Sequence, residues 1–140
     1  MPVRSGLDQT EANNILNASL SKGSYSATVA PVYGRLMTVT GDATTLGTEL
    51  TNASGSNYSQ QRVDLLLGTA SAGSVSNSGG AITWTNLPTA TIAGLELWDS
   101  AGTPKRKWWG DLAASKSVQL GDSLTLATGA LTLQLQSTSV

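Results

Sequence analysis

The chain contains no cysteine, no histidine and no phenylalanine. Without cysteine, neither a disulfide framework nor a thiolate metal site can form. Without histidine, the commonest general base and the commonest zinc ligand are missing. Carboxylates, lysine, tyrosine, serine and threonine are all that is left for catalysis. Charge is scarce as well: Asp, Glu, Lys and Arg make up 12% of the residues, against an ordinary share of about 25%. Eight basic and nine acidic residues leave a net charge of -1, so no overall field attracts nucleic acid or an anionic membrane. No apolar run approaches a membrane span, and the opening MPVRSGLDQTEANN has no apolar signal core. The expectation is a protein made in the cytosol that stays there or leaves inside something larger. No nucleic acid, membrane, cofactor or metal is expected as a partner.

What is present is Ser, Thr, Asn, Gln and Gly, in a chain of 140 residues. That length makes one ordinary domain able to bury a core unaided. A surface that is polar but weakly charged repels its own copies little, which suits packing in an assembly. It suits an extracellular-type β domain equally well.

The pattern predicts a mainly β fold, an antiparallel sandwich or jelly-roll-like domain with one short N-terminal helix. Residues 1–7 are expected to form an N-terminal arm able to reach a neighbouring subunit, and residues 8–140 a single domain. The helix is placed at residues 8–22. Asp8 and Glu11 have capping-box spacing, Ala12, Ile15, Leu16 and Leu20 form an apolar stripe, and Lys22–Gly23 supplies a stop. Strands are predicted over 25–39, 58–68 and 81–85, with a small one around Val75 and a loop over 40–57. Further strands follow at 92–97, 105–112 and 116–120, with Gly94 as a bend. Leu124 and Leu126, then Leu131, Leu133 and Leu135, alternate about Thr128–Gly129.

Lys105-Arg106-Lys107-Trp108-Trp109 is the densest charge run. Such a run could grip a nucleic acid or a sugar. Read instead as a strand, it turns Lys105 and Lys107 to solvent, with one tryptophan in the core and one at a subunit contact. The second reading fits the net charge of only -1 and the absence of another basic cluster. Three Asn-x-Ser matches, at Asn17, Asn52 and Asn57, are expected by chance in a chain of this composition. Asp42, Asp99 and Asp122 sit beside turn residues and read as turn formers, while Asp64 alternates with Arg62 and is placed to pair with it. Glu49, Glu96 and Asp111 are scattered, and no spacing singles out a carboxylate pair for glycoside hydrolysis.

A set of motifs in order resembles a known family. These are VYGRLMTVT at 32–40, YSQQRV at 58–63, SNS at 76–78, GLELWD at 94–99, WGDL at 109–112, SKSVQLGD at 115–122 and LTLATGALTLQL at 124–135. The chain is similar over roughly 8–136 to small phage and prophage virion proteins, variously labelled tail-fibre, minor tail or minor capsid proteins. In them a strand ending in a Trp/Phe-Asp motif precedes a Ser-Lys-x-Val-x-x-Gly-Asp segment and a closing hairpin. The resemblance implies a virion component without catalytic residues.

The function expected first is a capsid decoration or minor capsid protein that binds the outer shell, its partners being the major capsid protein and copies of itself in a trimer. The alternative is a tail-tip or tail-fibre module contacting the host surface, with a sugar groove lined by Trp98, Trp108 or Trp109. A third reading, a carbohydrate-active enzyme, would use two of the scattered acids. Arg106, Trp108, Trp109, Ile15 and Leu16 are the expected interface residues, Ile15 and Leu16 docking the helix on the sheet or on a partner.

Overall fold

The computed structural model describes residues 4–135, so residues 1–3 of the expected arm lie outside the described residues. Ser5–Leu7 form β1, which pairs antiparallel with β8 (Arg106–Val118), Gly6 lying opposite Trp109 and Leu7 opposite Trp108. Over these residues the arm is therefore an edge strand of the chain's own sheet. The outer backbone groups of β8 need partners, and a short strand supplies them.

Helix α1 spans Gln9–Ser19, shorter at both ends than predicted. Asp8 is its N-cap, its Oδ1 accepting the Thr10 N–H at 2.9 Å. No capping box closes, because the Glu11 carboxylate turns to Lys107 and the Asp8 N–H donates to the Lys107 carbonyl. The helix stops before Lys22 because Ser21 takes the left-handed conformation (φ 56°). The Lys22 N–H then donates to the Asn17 carbonyl and the Ser21 N–H to that of Ala18, which satisfies the last turn.

β1 and β8 belong to a six-stranded antiparallel sheet. Its other members are β2 (Tyr33–Val39), β3 (Thr48–Glu49), β4 (Val63–Asp64) and β7 (Ala90–Trp98). The order is β1-β8-β7-β2-β3, with β4 pairing the other end of β2. Two small antiparallel sheets face it: β5 (Ser74–Ser76) with β10 (Thr132–Gln134), and β6 (Ile82–Trp84) with β9 (Leu124–Leu126). The core lies between these layers, where Leu36, Leu95 and Leu97 of the large sheet meet Ile82, Trp84, Leu65 and Tyr58. Ile82 and Trp84 point inward and Thr83 outward, as alternation requires.

Layer spacing is tight at Gly34. A Cβ there would lie 2.9 Å from the side chains of Leu65 and Trp84. The bend predicted at Gly94 is real: the β7–β8 register shifts between Ile92 and Gly94, and a Cβ at Gly94 would lie 2.5 Å from the Gly110 carbonyl oxygen.

Four predictions are corrected. The strand expected over 25–39 begins only at Tyr33, after Pro31, and forms β2. Residues 58–68 are not one strand: Tyr58–Gln60 is a 3₁₀ turn, and β4 has only two residues. The cause is Tyr58, whose buried hydroxyl accepts the Leu36 N–H at 2.8 Å and donates to Glu49 at 3.0 Å. Burial, reinforced by the Glu49 charge, raises its pKa well above the ordinary tyrosine value. The segments 105–112 and 116–120 are largely one long strand, because the bulge opposite Ile92–Gly94 lets β8 continue past Leu112. Finally, the residues about Thr128–Gly129 do not form a hairpin, since β9 and β10 join different small sheets.

Asn77, the centre of the Ser-Asn-Ser motif, separates these two sheets and is fully buried. Its Nδ2 donates to the carbonyls of Gly80 (2.9 Å) and Ala127 (3.0 Å), and its Oδ1 accepts the Leu131 N–H at 2.9 Å. One side chain thus fixes the chain crossing from β9 to β10.

Candidate interaction surface

The large sheet has a second face, away from the core. Alternation puts Tyr33, Arg35 and Met37 of β2, Glu96 and Trp98 of β7, and Trp109 of β8 on it. The loop 41–47 and the start of α1 cover part of this face. Asp42 shapes the loop: its Oδ1 accepts the N–H groups of Thr44 and Thr45. These bonds to the charged form lower its pKa to about 2.

Beneath the loop lies Arg106, its side chain only 2% exposed. Its Nε and NH2 donate to Asp8 Oδ2 (3.0 and 2.8 Å), its NH1 to Glu96 Oε1 and the Thr45 carbonyl (2.9 Å each), and its NH2 also to the Asp42 carbonyl (2.7 Å). All five N–H bonds of the guanidinium have acceptors. Glu96 is equally buried. Besides Arg106 it accepts the Gly47 N–H (2.8 Å) and the Trp98 indole N–H (3.1 Å). Helix N-cap, loop, β7 and β8 converge on this one buried cation.

Arg106, expected at a partner surface, is therefore internal. Lys107, expected in solvent, is mostly covered: its Nζ lies 3.0 Å from Glu11 and 3.7 Å from Asp99. Burial opposes its charge, but the bond to Glu11 prevails and raises its pKa. Tyr25 donates its hydroxyl to the same Glu11 carboxylate. Trp109 is buried under β1, with the Arg4 guanidinium 5.7 Å from the ring centroid and Arg4 paired to Asp111. Trp108 packs on the core instead, beside an apolar opening lined by Leu126, Leu131 and Leu133. The two neighbouring tryptophans thus divide between the two faces of the sheet, as alternation predicts.

The helix stripe does not dock on the sheet over its length. Leu16 and Leu20 are 57% and 66% exposed, and Ile15 is half-buried. The polar contacts of Asp8 and Glu11 hold the first turn down, and the apolar C-terminal half stands out.

The acidic residues are occupied structurally. Asp42 and Asp122 accept turn N–H groups, as predicted, and Asp99 accepts those of Ala101 and Lys105. Arg62 lies 3.7 Å from Glu49, and the Asp64 carboxylate accepts the Leu66 N–H at 2.9 Å instead of pairing with Arg62. Among the described residues no group of three or more acids forms a metal-sized cluster, and no helix is long and apolar enough to cross a membrane.

The remaining polar-aromatic surface centres on Trp98. The Arg35 guanidinium stacks 3.8 Å from its ring centroid. A cleft of about 310 Å³ runs beside the ring, bounded by Thr10, Glu11 and Asn14 of α1, by Leu46 and by Lys105. Arg106 and Asp8 form its floor. The sequence signal for the floor was Glu96 itself, a carboxylate inside the apolar strand GLELW that requires a buried cation.

Residues 6–134 match the model of the family described as Podophage GP4 fiber I protein gp80. No curated protein matches the chain.

Proposed function

Because the chain belongs to the podophage GP4 fiber I protein gp80 family and is thus a phage structural protein, we propose that it serves in the tail as a non-enzymatic fibre component. The observation that carries this is the family match over nearly the whole chain, under a description that names a fibre. Shell decoration is the second reading. It is favoured by the form of the molecule, one two-layered β domain with no shaft-forming repeat or coiled coil among the described residues. Quantitative mass spectrometry of purified virions against the major capsid protein, with immunogold labelling, separates the two. The tail reading expects a handful of copies and label at the tail. A copy number approaching that of the capsid subunits, with label over the head, would overturn it in favour of decoration.

Within the virion the exposed half of α1 is the surface proposed to meet another subunit, a second copy of this chain included. A helix of 11 residues is marginal by itself, and Leu16 and Leu20 leave its apolar side in water. Replacing Leu16 by aspartate is expected to shift the protein towards monomer in sedimentation velocity while its thermal unfolding stays near wild type. An unchanged sedimentation profile would remove this helix from the assembly contact.

A further inference from the structure

We propose that the cleft between α1 and Trp98 binds one neutral sugar ring of a bacterial surface polysaccharide; the inference rests on the tail-fibre reading and deepens it. The cleft volume of about 310 Å³ falls at the small end of the range of about 300–1,000 Å³ for small-molecule sites.

Trp98 offers an aromatic surface that is already fixed. Its indole N–H is held by Glu96 Oε2 at 3.1 Å, and Arg35 stacks on the ring. These contacts reduce the cost of ordering it at the moment of binding. Leu46 adds apolar surface.

The polar groups around the ring are available. Thr10 and Asn14 stand one turn apart on the same side of α1, and Lys105 bounds the cleft with them. The Thr10 hydroxyl, the Asn14 carboxamide and the Lys105 ammonium make no side-chain hydrogen bond to another described residue. The hydroxyl and the carboxamide each donate and accept, as the hydroxyls of a sugar do. An aromatic surface with a few convergent polar groups is the composition of a small-ligand site.

The charges bordering the cleft are already matched to one another. Asp8 is bound to Arg106, and Glu11 to Lys107. Two acidic side chains, Asp8 and Glu11, and two basic ones, Lys105 and Arg106, line the cleft, so its lining carries no net charge. That balance favours a neutral ring over a strongly anionic ligand. The other tryptophans are placed differently: Trp84 and Trp109 are buried, and Trp108 packs on the core.

The test uses the full chain and the methyl glycosides of glucose, galactose, rhamnose and N-acetylglucosamine, followed by saturation-transfer NMR. Purified lipopolysaccharide O-chain and capsular polysaccharide of the host form two further arms, which identify the source of the sugar. At least one glycoside is expected to bind in the millimolar range. Asn14→Trp, at an exposed helix position, fills the cleft while leaving every donor and acceptor of the Arg106 network in place. It is expected to weaken binding by about tenfold or more with unchanged thermal unfolding. Thr10→Ala and Lys105→Ala are expected to weaken it less. The proposal is overturned if no glycoside or polysaccharide binds, or if binding is undiminished in Asn14→Trp. Loss of sugar binding with tail location intact overturns this inference alone. Sugar binding by a chain located on the head overturns the tail reading and supports the site.

Discussion

Arg106→Met is expected to cost about 3–5 kcal/mol of folding stability, read from guanidinium denaturation, because it removes one partner of a buried ion pair. The loss has two parts. Four acceptor atoms lose five hydrogen bonds, two of the atoms being loop carbonyls at Asp42 and Thr45. The carboxylates of Asp8 and Glu96 are then left facing each other without the cation between them. Arg106→Lys keeps the charge but offers three donors from a point where the guanidinium offered five in a plane. It should recover only part of the loss, and the loop 41–47 should show the remainder as faster amide exchange. A cost of under about 1 kcal/mol for Arg106→Met would mean that the network contributes no more than an exposed ion pair.

The second large effect is expected at Asn77. Asn77→Ala takes the side-chain partner from the Gly80 and Ala127 carbonyls and the Leu131 N–H, which surround a fully buried side chain but are themselves only partly buried. A buried group left without a partner costs about 1–3 kcal/mol; water reaches part of this site, so a total loss of about 2–3 kcal/mol is expected in chemical denaturation. Asn77→Asp should be worse despite its near-identical shape, since it turns a negative charge on two carbonyl oxygens that had received N–H donors. Amide exchange at Leu131 is the local readout. If Leu131 stays fully protected in Asn77→Ala, another group holds the crossing between β9 and β10.

These two residues mark where the sequence was readable and where it was not. Alternation located Ile82-Thr83-Trp84 and the leucines of β9 and β10, because a half-buried strand prints its two faces on a period of two. Gly94 was readable as a bend, since a glycine inside a strand pattern marks a close backbone approach. Arg106 was not readable in its own neighbourhood. Between two lysines and before two tryptophans it looks like a surface cation, and its acceptors come from the helix cap and a loop far earlier in the chain. Strand ends failed for a related reason: Tyr58 stands five residues before Val63 and reads as the start of the same strand, yet its hydroxyl bonds to β2 and holds the segment in a turn. The pairing of β9 and β10 was missed because neighbours in sequence usually pair, and here each had a distant strand to complete. Of the candidate cleft, Trp98 was legible as an aromatic in search of a role. The polar side chains around it come from a helix that only the tertiary fold brings near.

The same long-distance closures set an order on how the molecule is made. Arg4 meets Asp111 across 107 residues and Asp8 meets Arg106 across 98. β5 and β6 wait for β10 and β9 at the far end of the chain. A nascent polypeptide leaving the ribosome has its N-terminal edge, its helix clamp and its second layer all incomplete until the last strands emerge. Loop closure over such separations slows folding, and unpaired strands displayed in the interval invite association between neighbouring chains. Synthesis therefore has a vulnerable period that lasts until β9 and β10 have emerged, and a variant lacking β10 leaves β5 exposed as an open edge.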